Sequence, residues 1–251
     1  MTLTALVTGA TSTLGEAFAR SLAAREIRLI LTGRHEGKLS ELSTSIPGVD
    51  SFVPCDLAVD PSPVLEHTRH TSIDILVNNA GVSRVAHFHH MPTTDIDEQI
   101  QLNILALTRL CRHYLPPMIE RGHGRILNVA SIAAFHPFPN LSVYAASKAY
   151  VLSLSESLAE ECNRSGVGVT CLCPGNMATE GQSPDTHLSV PDFLKLDPVV
   201  VADTGIESLM SGEIICIPDK VHAAAVAATQ HQPRWLMRRL AGIATRLTRS
   251  T

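Results

Sequence analysis

Short, continuous apolar runs alternate with amphipathic stretches along nearly the whole chain. The runs are TLTALVT, RLILTG, SFVPCD, IDILVNN, RILNVAS, VGVTCLCP and EIICIP. They lack the period-2 alternation of a half-solvated strand, so they read as strands of a parallel sheet covered on both faces. Between them, apolar residues recur at three- and four-residue spacing. Leu14, Ala17, Phe18 and Leu22 predict one buried stripe on the first helix. Strand and helix in alternation imply right-handed crossovers, hence a doubly wound α/β fold with seven parallel strands and helices on both faces. No long linker, low-complexity tract or internal repeat interrupts the pattern, so residues 1–251 are expected to form a single domain.

Two segments break the rhythm. Residues 176–198 hold three prolines and no strand pattern, and they follow a strand end, where such sheets bind ligands. They are expected to form a substrate lid. The C-terminal extension, about 219–251, becomes basic after Pro233, with Arg234, Arg238, Arg239, Arg246 and Arg249 and no acidic residue. Leu236, Leu240, Ile243 and Leu247 fall at helical spacing within it. Such a helix can lie on an anionic membrane surface, but its short apolar stripe favours docking on its own subunit or on a second copy.

Composition narrows the class. With 45% hydrophobic and 18% charged residues the chain can bury a full core, which excludes disorder. A net charge of -4 gives no general attraction to nucleic acid. No apolar run reaches the ~18 residues that a membrane span needs. The six cysteines form no C-x-x-C pair and read as buried reduced thiols. The first strand begins near residue 3, leaving no room for a signal peptide, so a cytoplasmic location is expected.

The chemistry begins in TGATSTLG, residues 8–15. A strand that turns at glycine into a helix offers unpaired N–H groups and a positive dipole end to a phosphate. Gly9 permits the turn, Gly15 permits close packing of the helix that Leu14 opens, and Thr11, Ser12 and Thr13 offer hydroxyls. At the end of the second run, Gly33 stands where an acidic residue would grip a ribose 2′-hydroxyl, and Arg34 follows. A guanidinium pairs with a 2′-phosphate, so NADP(H) is preferred over NAD(H). Further on, VNNAG (77–81) puts two amides and a small-residue turn at a strand end. Ser131 ends the fifth run, and Tyr144 and Lys148 lie four apart on the helix that follows, on one face. A cation beside the phenol is expected to lower its pKa from ~10 and equip it for acid–base work on a carbonyl or alcohol oxygen.

In this order and spacing, TGATSTLG, CDL at 55–57, NNAG at 78–81, LNILA with Asn103, Ser131, YAASK with Tyr144 and Lys148, and PGNMAT at 174–179 resemble the short-chain dehydrogenase/reductase family. The resemblance runs from residue 3 to about 218, and FHPFPNLSVYAASKA is similar to its NADP-preferring bacterial carbonyl-reductase branch. It implies a Rossmann fold and an NADP(H)-dependent oxidoreductase that moves a hydride between the nicotinamide and a carbonyl or secondary alcohol. Tyr144 would be the acid/base. Lys148 would tune it and hold the nicotinamide ribose, Ser131 would orient the substrate oxygen, and Asn103 would support a water leading to Lys148. Asp56 and Leu57 would meet the adenine, Asn79, Ala80 and Gly81 the adenosine side, and Pro174, Gly175, Met177 and Thr179 the carboxamide end. The resemblance also implies a homodimer or homotetramer.

One position departs from the family's T-G-x-x-x-G-x-G pattern: Thr13 replaces the middle glycine. If that site needs a positive φ, the threonine costs on the order of 1 kcal/mol. Its hydroxyl offsets a comparable amount if it bonds a phosphate. His136 is a candidate wall of the substrate mouth. The HFHH stretch (His87, His89, His90) lacks an acidic or cysteine partner, and no metal is expected there. Two other readings fit the same fold: an epimerase or dehydratase, and a non-catalytic nucleotide-sensing protein.

Overall fold

The apolar runs pair side by side because their backbone polar groups, shielded by apolar side chains on both faces, have only each other as partners. The computed structural model describes residues 2–177 and 195–230, together with 232, 233, 235, 236 and 239. Among these residues seven strands form one parallel sheet: β1 (Thr4–Thr8), β2 (Arg28–Gly33), β3 (Val49–Pro54), β4 (Ile75–Asn78), β5 (Gly124–Val129), β6 (Val167–Leu172) and β7 (Ile215–Cys216). Their order is β3-β2-β1-β4-β5-β6-β7, with every pairing parallel. The winding reverses between β1 and β4, which opens a crevice at the carboxyl ends of the strands. This is the expected Rossmann architecture.

Helices cover both faces. On one face α1 (Thr13–Ala23), α2 (Glu36–Ser45) and α7 (Pro198–Ser211) bury Leu14, Phe18, Leu22, Leu39, Ile206 and Leu209 in a common core. The other face carries α3 (Ser62–His67), α4 (Thr93–Ile100), α5 (Leu107–Arg121) and α6 (Ser142–Glu161), with Leu110, Tyr114, Met118 and Val151 buried against the sheet. A π-turn, Gln101–Ala106, joins α4 to α5. α8 (Lys220–Gln230) follows β7.

Two expectations change in detail, and a third lies mostly outside the described residues. The run EIICIP keeps only Ile215 and Cys216 in the ladder, because this edge strand meets β6 at just two register positions. The third strand begins at Val49, two residues before SFVPCD. Of the segment 176–198, residues 178–194, including Thr179, lie outside the described residues. Its base is held by a parallel bridge between Met177 and Leu196 and by the Leu196 N–H, which donates to Asn176 O at 2.8 Å. The basic tail is described only at Trp235, Leu236 and Arg239 beyond Pro233, and there the Arg239 guanidinium lies 5.8 Å from the centre of the Trp235 ring. All six cysteines are buried and unpaired. Among the described residues no helix is long and apolar enough to cross a membrane.

Candidate active site

At the end of β1 the chain turns through Gly9 with φ 62°, where a side chain would be strained and its Cβ would stand 2.8 Å from Ala80 Cα. At Gly15 a Cβ would run into the Gly9 carbonyl oxygen, so α1 packs on the loop with no room for a methyl. Ser12 caps α1: its hydroxyl accepts the Gly15 N–H at 3.1 Å and donates to Gly9 O at 2.8 Å. Asn79 reinforces the turn, its Nδ2 donating to Thr8 O at 3.0 Å, Gly9 O at 3.1 Å and Ser12 Oγ at 3.2 Å. Thr8 completes the seam, with its hydroxyl accepting the N–H groups of Asn79 and Ala80, both at 3.0 Å.

The loop therefore has its own occupants for some of the groups assigned to a ligand. The Ser12 hydroxyl is committed to the cap and to Asn79. The Leu14 and Leu57 side chains are buried in the two cores, so a ligand would meet only their backbones. Thr11 packs over Gly33, its Oγ1 3.1 Å from where a Cβ would stand, and so draws the loop to the end of β2. Thr13 is exposed at the first position of α1 and is not among the residues with positive φ. The backbone strain considered for it is absent. Asp56 is exposed and accepts the Ala58 N–H at 3.0 Å. Arg34, half exposed at the crevice edge, reaches Glu98 on α4 at 3.4 Å, and Glu98 also pairs with Arg84 at 2.6 Å.

Across the crevice the polar groups come from side chains. Ser131, just beyond β5, caps a 3₁₀ turn (Ile132–Ala134) by accepting the Ala133 N–H at 3.1 Å. Tyr144 and Lys148 come from adjacent turns of α6, with Lys148 Nζ 5.7 Å from the centre of the Tyr144 ring. Nζ donates to Val129 O at 2.8 Å and lies 3.4 Å from where a Cβ on Gly81 would stand, while Asn103 Oδ1 is 3.3 Å from the same point. Gly81, Asn103 and Lys148 thus converge.

Asn103 sits in the π-turn between α4 and α5, an irregularity common at functional sites. Its Oδ1 accepts the Val82 N–H at 2.9 Å, and its Nδ2 donates to Val82 O at 2.9 Å and to Ser147 Oγ at 3.1 Å. Ser147 in turn donates to Tyr144 O at 2.7 Å, so Asn103 is tied to the backbone that carries the phenol.

The electrostatics correct one expectation. The Tyr144 phenol is raised above its ordinary value, because burial outweighs the hydrogen bond from Ser131, and Cys173 adds to the rise. Burial acts on Lys148 too, lowering it from 10.5 to about 8. The hydrogen bond from Ser131 favours the phenolate.

The remaining candidates fall into place around this centre. Pro174 O accepts the Ile132 N–H at 3.0 Å, which sets the 174–177 turn beside Ser131. His136 Nε2 lies 2.6 Å from Thr229 Oγ1 on α8. His87, His89 and His90 cluster their rings at an exposed 3₁₀ turn (Phe88–His90), with His87 stacked on His89 and the His89 and His90 centroids 4.0 Å apart. Sequence reasoning missed Ser147, although it lies within YAASK one residue before Lys148. It also missed Asp219 and His222, which no motif marks.

The residues present fit a nicotinamide dinucleotide. The first turn of α1 faces the crevice, and the two positions where a Cβ would close the phosphate turn, Gly9 and Gly15, are both glycine. The sequence model described as short chain dehydrogenase matches residues 3–187. The oxidoreductase YvaG of Bacillus subtilis is 37% identical over 183 residues, 71% of this chain and 69% of that protein. A very-long-chain 3-oxoacyl-CoA reductase of Anas platyrhynchos is 33% identical over 230 residues, 85% of this chain and 72% of its own length. Among solved structures, a short-chain dehydrogenase of Sphingobium yanoikuyae in complex with NADPH superposes with a TM-score of 0.82 at 29% identity, covering 99% of this chain and 96% of that one. With Ser131, Tyr144 and Lys148 gathered beside the glycine turn, this chain belongs to the short-chain dehydrogenase/reductase family and is an oxidoreductase.

Proposed function

We propose that the protein is an NADP(H)-dependent reductase of ketones or aldehydes, running in reverse as a secondary-alcohol dehydrogenase. The observation that carries this reading is the convergence of Ser131, Tyr144 and Lys148 at the mouth of the crevice. The bound nicotinamide supplies or accepts a hydride. The protein's own residues handle the proton and the geometry. A phenol held above its ordinary pKa keeps its proton at neutral pH and is equipped to donate it to a carbonyl oxygen as negative charge develops there. The Ser131 hydroxyl supports the phenolate left behind, and the Lys148 ammonium, protonated below about 8, adds a positive charge beside the ring.

Gly9, Gly15, Thr11, Thr13 and the first backbone N–H groups of α1 would hold the diphosphate. Asp56 would meet the adenine, Asn79 to Gly81 the adenosine side, and Pro174 to Met177 the carboxamide. The preference for NADP(H) rests on Arg34 and on the absence of a carboxylate at the end of β2, and the NADPH complex of the Sphingobium relative supports it. The name of the Anas relative supports a carbonyl as substrate. Six unpaired buried thiols fit a reducing cytoplasmic setting. Exposed Leu105 in the π-turn, Ile119 on α5 and Tyr150 on α6 fit a homo-oligomer, which light scattering would detect.

The test is NADPH and NADH oxidation against a panel of ketones and aldehydes. Turnover with NADPH at least tenfold above NADH is expected, and Tyr144→Phe should lower kcat by about 10²–10⁴. Full activity in Tyr144→Phe would overturn the reading.

A further inference from the structure

Helix α8 touches two loops of the active site, those that follow β5 and β6, and nothing in the chemistry above uses it. At its N-terminal end, Asp219 Oδ1 accepts the His222 N–H at 2.8 Å and lies 2.8 Å from His222 Nδ1. One carboxylate oxygen thereby caps the helix and fixes the rotation of the imidazole. The ring lies on Gly175: a Cβ there would be 2.7 Å from both Cε1 and Nε2 of His222. Gly175 follows Pro174, whose carbonyl holds the Ile132 N–H, one residue from Ser131.

Near the other end of α8, Thr229 Oγ1 donates to Ala225 O at 2.7 Å and lies 2.6 Å from His136 Nε2. A hydroxyl has a single proton, so with that proton on Ala225 O it accepts from the His136 Nε2–H. His136 belongs to the loop that leaves Ser131 and enters α6. His222 and Thr229 are seven residues apart, two turns of one helix face, with their Cα atoms roughly 10 Å apart. The contacts close a ring from Ser131 through His136, Thr229, His222 and Gly175 back to Ile132.

We propose that α8 is a positioning element, with His136, Thr229 and His222 as positioning residues that set Ser131 relative to Tyr144. This rests on the reading that both hydroxyls act on the substrate oxygen. Besides the hydrogen bond between them, the two groups have different ties. Tyr144 is tied through Ser147 to Asn103, while Ser131 stands at the head of a loop whose far side is pinned by α8. Loosening α8 moves Ser131 and leaves Tyr144 in place, and displacements of about 1 Å cost up to ~10² in rate.

The experiment measures kcat and both KM values with NADPH and the carbonyl that the wild type reduces fastest, in Thr229→Val, Thr229→Ser, Ser131→Ala, Tyr144→Phe and the double variant Ser131→Ala/Thr229→Val. Thr229→Val, which keeps shape and loses the hydroxyl, should lower kcat about tenfold with KM for NADPH within about twofold, and Thr229→Ser should restore it. In the Ser131→Ala background, Thr229→Val should cost nothing more, because the tie acts through Ser131. An unchanged kcat in Thr229→Val, or a further tenfold loss in the double variant, would overturn the proposal. Should Thr229→Val fail to fold, His222→Leu tests the other tie in the same cycle. A fully active Tyr144→Phe defeats the reading of the site itself. An inactive Tyr144→Phe beside a fully active Thr229→Val defeats only the role of α8.

Discussion

The two sides of the crevice are held together by different means. On the β1 side the turn is shaped by backbone: a positive φ at Gly9, a methyl-free contact at Gly15, and carbonyls of Thr8 and Gly9 gathered by Asn79. On the β5 side the same task falls to buried side chains, with Asn103, Ser147 and Lys148 each satisfied by a specific partner. A backbone-built site is sensitive to any added atom and tolerant at a hydroxyl that holds no part of the turn, as at exposed Thr13. A side-chain-built site is sensitive to the identity of each group, because every donor lost leaves a buried acceptor unpaired.

The largest effects should break the side-chain half. Asn103→Leu and Lys148→Met should each reduce kcat by about 10²–10⁴, measured at saturating NADPH. Lys148→Met should at the same time stabilise the fold at neutral pH. The lysine sits near 8 in the folded chain against 10.5 ordinarily, so folding works against its protonation at every pH below about 8. Removing it should add about 1–3 kcal/mol in urea unfolding at pH 7, allowing for the lost bond to Val129 O. That gain should shrink as pH rises from about 8 towards 10.5, where both folded and unfolded chains hold a neutral amine.

Next comes the backbone half. Gly15→Ala should destabilise the protein by about 1–3 kcal/mol and weaken NADPH binding more than tenfold, read by thermal unfolding with and without NADPH. A smaller effect tests the coupling of lysine and phenol. kcat/KM for reduction should be flat below pH 7 and fall as pH rises through about 8, with the fall moved to higher pH in Lys148→Arg. The smallest is Thr13→Gly, expected to change the NADPH dissociation constant by less than about threefold, since no strained backbone is relieved. A hundredfold gain in affinity would show that the threonine crowds the diphosphate after all.

The same division explains what the sequence could show. Runs of apolar residues and the stripe of Leu14, Phe18 and Leu22 report burial locally, so the sheet and its first helix were legible. Ser131, Tyr144 and Lys148 were legible through spacing along one element. The fate of a hydroxyl was not: Ser12 and Thr13 look alike in sequence, yet Ser12 is taken by Gly9, Gly15 and Asn79 while Thr13 faces solvent. The direction of the Tyr144 shift was hidden for a related reason. A lysine four residues away is visible in the sequence, whereas the burial that raises the phenol comes from elements distant along the chain. His222 against Gly175, 47 residues apart, leaves no local signature.

The π-turn at Gln101–Ala106 behaves as a spacer of one residue inside an otherwise continuous helical rod. Deleting a residue such as Leu105, exposed within it, would allow a regular helix to run from α4 into α5. Everything on the N-terminal side would then rotate by about 100° about the axis relative to α5. Asn103 would swing away from Val82 and Ser147, although no active-site residue had been changed. Insertions and deletions here are therefore constrained by phase as much as by composition, because the length of the helix sets where Asn103 points.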